Sequence, residues 1–236
     1  MAQFPRPIYV DTRSNVMIGG KSSEQTEADL AAGVARVGGF FREPSYFESY
    51  LHAAQALIDK GRADGNLDDL GMPAFYLQRH TLELLLKSVL SWLHSIDDLK
   101  KRILNVNFQP DLDARDKNVN KHSHRKLLDM VLAAAKELEL PEPPSELETL
   151  VERFTSFEQT GTWARYSSSR MRGHEKVQHL ENEVVIPLVD LQSSLADLAA
   201  RVISRDLDAH SYESVLVDEW DYLNQQVENM RSVQLM

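Results

Sequence analysis

The sequence predicts an all-α protein: an antiparallel helical bundle with an irregular N-terminal arm and an extra C-terminal helix. Three observations predict it. Apolar residues recur at steps of three and four along several long segments, which is one face of a helix. Strand-like sequence is confined to PIYV near the N-terminus. The connecting segments are mostly short, which favours antiparallel neighbours.

Residues 1–40 read as the arm with one short helix, and residues 41–236 as the bundle domain. In the arm, SSEQTEADLAAGVARV (22–37) is expected to be helical, because Ser22 or Ser23 can cap it and Glu24 and Glu27 suit its first turn. SYFESYLHAAQALIDK (45–60) is amphipathic, with Gly61 as its stop. GRADGNLDDLG reads as a polar loop, and Pro73 as the opening of the longest helix, to about residue 103. After an Asn- and Asp-rich loop (105–120), helices are expected over about 123–139 and from Ser145 to near Gly161. TWARYSSSRMRGHEK reads as a connector. Val184, Leu188, Leu191, Leu195, Leu198 and Val202 then form one helical face, which Pro187 either kinks or introduces. A last helix covers roughly 212–231. Its stripe of Tyr212, Val215, Trp220, Leu223 and Val227 is expected to pack on the bundle or on a second subunit.

At 236 residues the chain is long enough for one large domain with a real core. It is 42% apolar and 26% charged, an ordinary globular balance. No apolar run reaches the roughly 18–20 residues of a membrane span, and MAQFPRPIYVDTRSNV lacks a signal-peptide pattern, so a cytoplasmic protein is expected. The absence of Cys excludes disulfides, thiolate metal sites and a Cys nucleophile. A net charge of −10 argues against a broad nucleic-acid surface, though a small basic pocket is compatible with it.

The segment HTLELLLKSVLSWL (80–93) carries a Glu and a Lys within an apolar run. On a helical wheel Tyr76, His80, Glu83, Lys87, Ser91 and His94 form a thin stripe opposite Phe75, Leu82, Leu85, Leu86, Val89 and Leu93. Leu77 and Leu84 border one edge, and Leu90 the other. Either Glu83 and Lys87 are a surface pair contributing about 0.2–0.5 kcal/mol, or the stripe is a partly buried seam whose charges need partners from another helix. The wheel leaves both open.

AFYLQRHTLELLLKSVL resembles the signature helix of the HEPN superfamily, helical domains of which one branch accompanies minimal nucleotidyltransferases. KHSHRKLLDMV (121–131) is similar to the family's His-then-leucine helix start, and WARY (163–166) to its Arg-Tyr element, although Ser167 stands where a Pro often follows the Tyr. The resemblance covers about residues 45–205. It implies that His80, Glu83 and Lys87 face an interior groove. Arg165 and Tyr166 would approach it from the loop before the last bundle helix, and His122 or His124 from the neighbouring helix, as a ligand-binding set.

Many HEPN domains are metal-independent ribonucleases with an Arg, four to six residues, then a His, and two such motifs meet in a dimer. Arginine can stabilise the phosphorane-like transition state and histidine can move the proton. Arg170 and His174 lie in the expected region with three residues between them. Arg172 and His179 have six between them, and so do Arg115 and His122. In RDLDAHSY, Arg205 and His210 have four between them, and Tyr212 follows, as in HEPN toxins of two-gene toxin–antitoxin pairs. With 26 Lys and Arg and 8 His, such spacings recur by chance, so structural context is needed.

His122 and His124 diverge if helical and could converge on a metal if extended, but no carboxylate cluster completes such a site. Zincin spacing, a phosphate-binding glycine loop and a nucleophile elbow are absent from the sequence. TWARYSSSRMR sets arginines beside aromatics, suited to a base and a phosphate or to pairing with this protein's own carboxylates. The expectation is a cofactor-free homodimer, not membrane-bound. Its function is a metal-independent endoribonuclease of a defence or toxin–antitoxin system, with an antitoxin or nucleotidyltransferase partner. The alternative is a non-catalytic HEPN module that binds a nucleotide, RNA or a partner protein.

Overall fold

The computed structural model describes residues 23–33, 35, 46–113, 115, 122–156, 168–170, 176–178, 183–203 and 210–234. The chain divides into two units, residues 1–46 and 47–236. In the first, α1 spans Ser23–Ala31 with Glu24 in its first turn. It is shorter than expected, because the Gly33 N–H bonds the Leu30 carbonyl three residues back and tightens the end.

The second unit is all-α in its main elements. They are α2 (Phe47–Asp64), α3 (Leu67–Leu104), α4 (His124–Glu137), α5 (Glu146–Ser156), α6 (Leu188–Val202) and α7 (Tyr212–Gln234). Among the described residues no helix is long and apolar enough to cross a membrane.

The α2–α3 junction corrects two expectations. Gly61 lies inside α2 rather than ending it. It is buried, and a Cβ there would meet Leu67 Cα and Cδ1 at 3.0 Å, so the small residue permits the close turn. The stop is Gly65, with φ +69°, and the Asn66 N–H reaches back to the Gly61 carbonyl at 2.9 Å. α3 then starts before Pro73, at Leu67, because Asp68 and Asp69 suit the positive end of the helix. Pro73 sits inside the helix. α3 runs 38 residues, about 57 Å at the usual rise.

α4 ends at a second reversal of the same kind. Glu139 has φ +59°, and the Leu140 and Glu139 N–H groups bond the Ala135 and Lys136 carbonyls. The connector expected after α5 contains two short strands, β1 (Ser168–Arg170) and β2 (Lys176–Gln178). They are antiparallel, with Ser169 opposite Val177. Ladder bonds are made by backbone, so this serine-rich stretch shows no alternation to signal them. Pro187 immediately precedes α6 and does not kink it. Val184 consequently lies outside that helix and is exposed.

α3 is the axis of the core. It packs against α2, α4, α6 and α7. Its buried Phe75, Leu82, Leu85, Leu86, Val89, Leu90, Leu93 and Ile96 meet Ile58 from α2, Leu127, Leu128 and Val131 from α4, and Leu195 and Leu198 from α6. The stripe of α7 packs on this bundle, with Leu216 buried where Val215 was expected. Trp220 meets Trp92 edge-on, with ring centroids 6.4 Å apart. Two buried amides cross-link three elements. Gln78 Nε2 donates to the Leu188 carbonyl (2.8 Å) and to Gln192 Oε1 (3.0 Å), and Gln192 Nε2 donates to the Leu51 carbonyl (2.9 Å).

Candidate functional site

The polar stripe on α3 is a partly buried seam: Glu83 is buried, Tyr76, His80, Lys87 and His94 are half-buried, and Ser91 is exposed. Glu83 lies mid-helix and is 2% exposed. Lys87, one turn on, donates from Nζ to Glu83 Oε1 at 2.8 Å, and its side chain is 18% exposed. His122, just before α4, places Nδ1 3.0 Å from the same oxygen, while its side chain is 64% exposed. Burial works to raise the Glu83 carboxyl. The hydrogen bonds from Lys87 and His122, and their charges, outweigh it and hold the carboxyl below its usual range. An ionised carboxylate only accepts, so Nδ1 of His122 carries the proton in this bond and Nε2 is the other working nitrogen.

The start of α4 is fastened to α3 from beneath. Arg79, 4% exposed, donates from Nη2 to the His122 carbonyl at 3.1 Å. His124, 2% exposed, has Nε2 3.0 Å from the Arg79 carbonyl. A carbonyl only accepts, so Nε2 of His124 is the donor and Nδ1 is the bare nitrogen. That Nδ1 is buried without a partner among the described residues. Burial, then the charge of Arg79, pushes His124 down to about 4. The ring is neutral and lies edge-on to Phe154, with centroids 6.2 Å apart.

His80 stands one turn before Glu83, half-buried. Its ring stacks on Tyr76 (6.1 Å, 4° between planes) and meets Tyr50 of α2 edge-on (4.5 Å). Burial is the main cause that lowers its pKa. Glu83 opposes this, while Lys87, Arg79 and His122 add to it.

Five of the expected ligand-binding residues, His80, Glu83, Lys87, His122 and His124, thus gather at the seam, with different parts. His122 meets the carboxylate, whereas His124 meets the backbone. The two histidines do not converge on a metal, and among the described residues no three His, Asp or Glu side chains form a metal-binding group. Arg165, Tyr166, His174 and Arg205 lie outside the described residues. Arg170 is described through its backbone in β1, opposite Lys176, and His210 is exposed just before α7. Arg115 does not join His122. It pairs with Asp98 and, at 3.5 Å, Asp97, and Asp98 lies 15 residues along α3 from Glu83, about 22 Å away.

Sequence reasoning missed Arg79 and Tyr50. Arg79 had a signal, a charge within the apolar run, but its target is a backbone carbonyl 43 residues away that no spacing reveals. Tyr50 had none.

Comparison of the chain with protein-family models, with curated proteins and with solved structures returned no match.

Proposed function

We propose that this chain is a HEPN-like helical protein acting as a metal-independent endoribonuclease, in a defence or toxin–antitoxin setting. His122 is its proton-carrying group at the α3 seam. One observation carries the reading: an exposed imidazole is held through Nδ1 by a buried, ionised carboxylate, His122 on Glu83 at 3.0 Å. A carboxylate so placed fixes the tautomer and the direction of the ring, leaving Nε2 to exchange a proton with a substrate. RNA supplies its own nucleophile in the 2′-hydroxyl, and Lys87 lies beside the pair to offset charge on a phosphate.

The test is cleavage of mixed cellular RNA in EDTA by wild type and by His122→Ala, His174→Ala and His210→Ala, each made separately. Loss in His122→Ala alone supports the reading. Loss confined to His174→Ala or His210→Ala moves the chemistry to an Arg–His pair. The partners that go with this reading are a second copy of the chain and an antitoxin or nucleotidyltransferase. Light scattering at micromolar concentration would show about twice the monomer mass, and a monomer would end the dimer proposal.

A second reading is favoured by the −10 net charge and by the mutual satisfaction of Glu83 and Lys87. It is a non-catalytic module binding a nucleotide, RNA or partner protein over the same seam. Saturable nucleotide binding without cleavage by the folded protein would select it.

A further inference from the structure

We infer that His80, one helical turn before Glu83, and His122, held by Glu83, form an acid–base pair acting on a phosphodiester with a neighbouring hydroxyl. This rests on the ribonuclease reading, and it assigns the second proton-transfer group from residues outside the Arg–His spacings.

Transesterification of RNA without a metal needs one group to accept a proton and another to donate one in the same step. His122 alone supplies one. His80 lies three residues before Glu83 on α3, so the two side chains are helical neighbours. Glu83 in turn binds His122. The ring of His80 is fixed by Tyr76 on its face and Tyr50 at its edge, so its direction is set before any ligand arrives. Among the described residues neither ring nitrogen of His80 has a hydrogen-bond partner. The groups around it are Glu83, Lys87, Arg79 and His122, with Tyr50 and Tyr76 against the ring. Burial keeps it neutral at pH 7, which is the form a base needs.

The step balances. His80 takes the proton of the 2′-hydroxyl as the O2′–P bond forms. The P–O5′ bond breaks, and protonated His122 gives its Nε2 proton to the leaving 5′-oxygen. The products are a 2′,3′-cyclic phosphate and a 5′-hydroxyl. Proton exchange with water restores both rings. Lys87 offsets charge on the non-bridging oxygens.

The experiment measures the pH–rate profile of cleavage of the dinucleotide UpA in EDTA. It compares wild type, His80→Asn, His80→Gln and His122→Asn, with the exposed His52→Asn of α2 as control. Circular dichroism checks that each variant is folded. Wild type should give a bell-shaped profile. Each His80 variant should lose at least about 100-fold and lose the acidic limb, and His122→Asn should lose at least about 100-fold. The control should match wild type. Wild-type activity with an intact profile in a folded His80 variant would overturn the pair and leave the ribonuclease reading standing. No cleavage by folded wild type, on UpA or on mixed cellular RNA, would overturn both.

Discussion

The α3 seam and the α5–α6 groove are built from the same kinds of side chain at different depths. In the seam, Glu83 is buried and holds Lys87 and His122. In the groove, Arg153 pairs with Asp190 and Arg201 with Glu146, all on partly or largely exposed side chains, and Glu146, Arg153 and Arg201 line a cavity of about 230 Å³ together with Leu150 and Leu198. Water can replace a lost partner in the groove. It cannot do so for a carboxylate inside α3, so the seam converts sequence identity into stability and proton control, and the groove does not.

The sharpest way to break this comparison is to remove one partner at each site. Lys87→Ala leaves Glu83 buried with His122 alone and should cost about 3 kcal/mol in denaturant unfolding. A cost below that of ordinary surface substitutions would mean the seam is wetter than its geometry implies.

Acid should separate the two regions next. The folded-state pKa of His124 is depressed to about 4 against 6.5 unfolded, so between those values the unfolded chain binds the extra proton. Its contribution to stability is complete above about pH 6.5 and is lost as pH falls towards 4, roughly 3 kcal/mol in all. His124→Gln keeps a donor for the Arg79 carbonyl and should flatten the unfolding free energy across that window. An unchanged slope would assign it to other groups.

The two helix ends with left-handed residues offer a smaller contrast. Gly65 fits that conformation and Glu139 does not. Glu139→Gly, on an exposed side chain, should stabilise the protein by about 0.5–1 kcal/mol in thermal unfolding. Gly65→Ala should move stability the other way.

The smallest effect belongs to the groove. Asp190→Asn removes an exposed partner of Arg153 and should change stability by less than about 1 kcal/mol, an effect that shrinks further in high salt. A larger loss would place this groove alongside the seam.

The elements differ in how far they could be read. The helical faces of α4 and α6 were legible because burial of one stripe imposes a period of 3.6 on apolar residues. The start of α3 was not. GRADGNLDDLG has the composition of a loop, and the left-handed Gly65 together with the fit of Leu67 over Gly61 turns it into a two-residue reversal and the first turn of a helix. The strands β1 and β2 were invisible for a related reason, since their pairing is backbone to backbone.

Sequence alone determined the helical class, the position of the apolar stripe along α3, and the presence of Glu83 and Lys87 on its thin polar side. These follow from local periodicity and from residue chemistry. Only the tertiary structure decided that Glu83 on this polar side is buried, that His122 and not His124 meets the carboxylate, and that Arg79 and Tyr50 support the site. Those outcomes depend on where α2 and the residues before α4 lie against α3. Contacts between residues 30 to 43 positions apart are set by packing and leave no periodic trace in the chain.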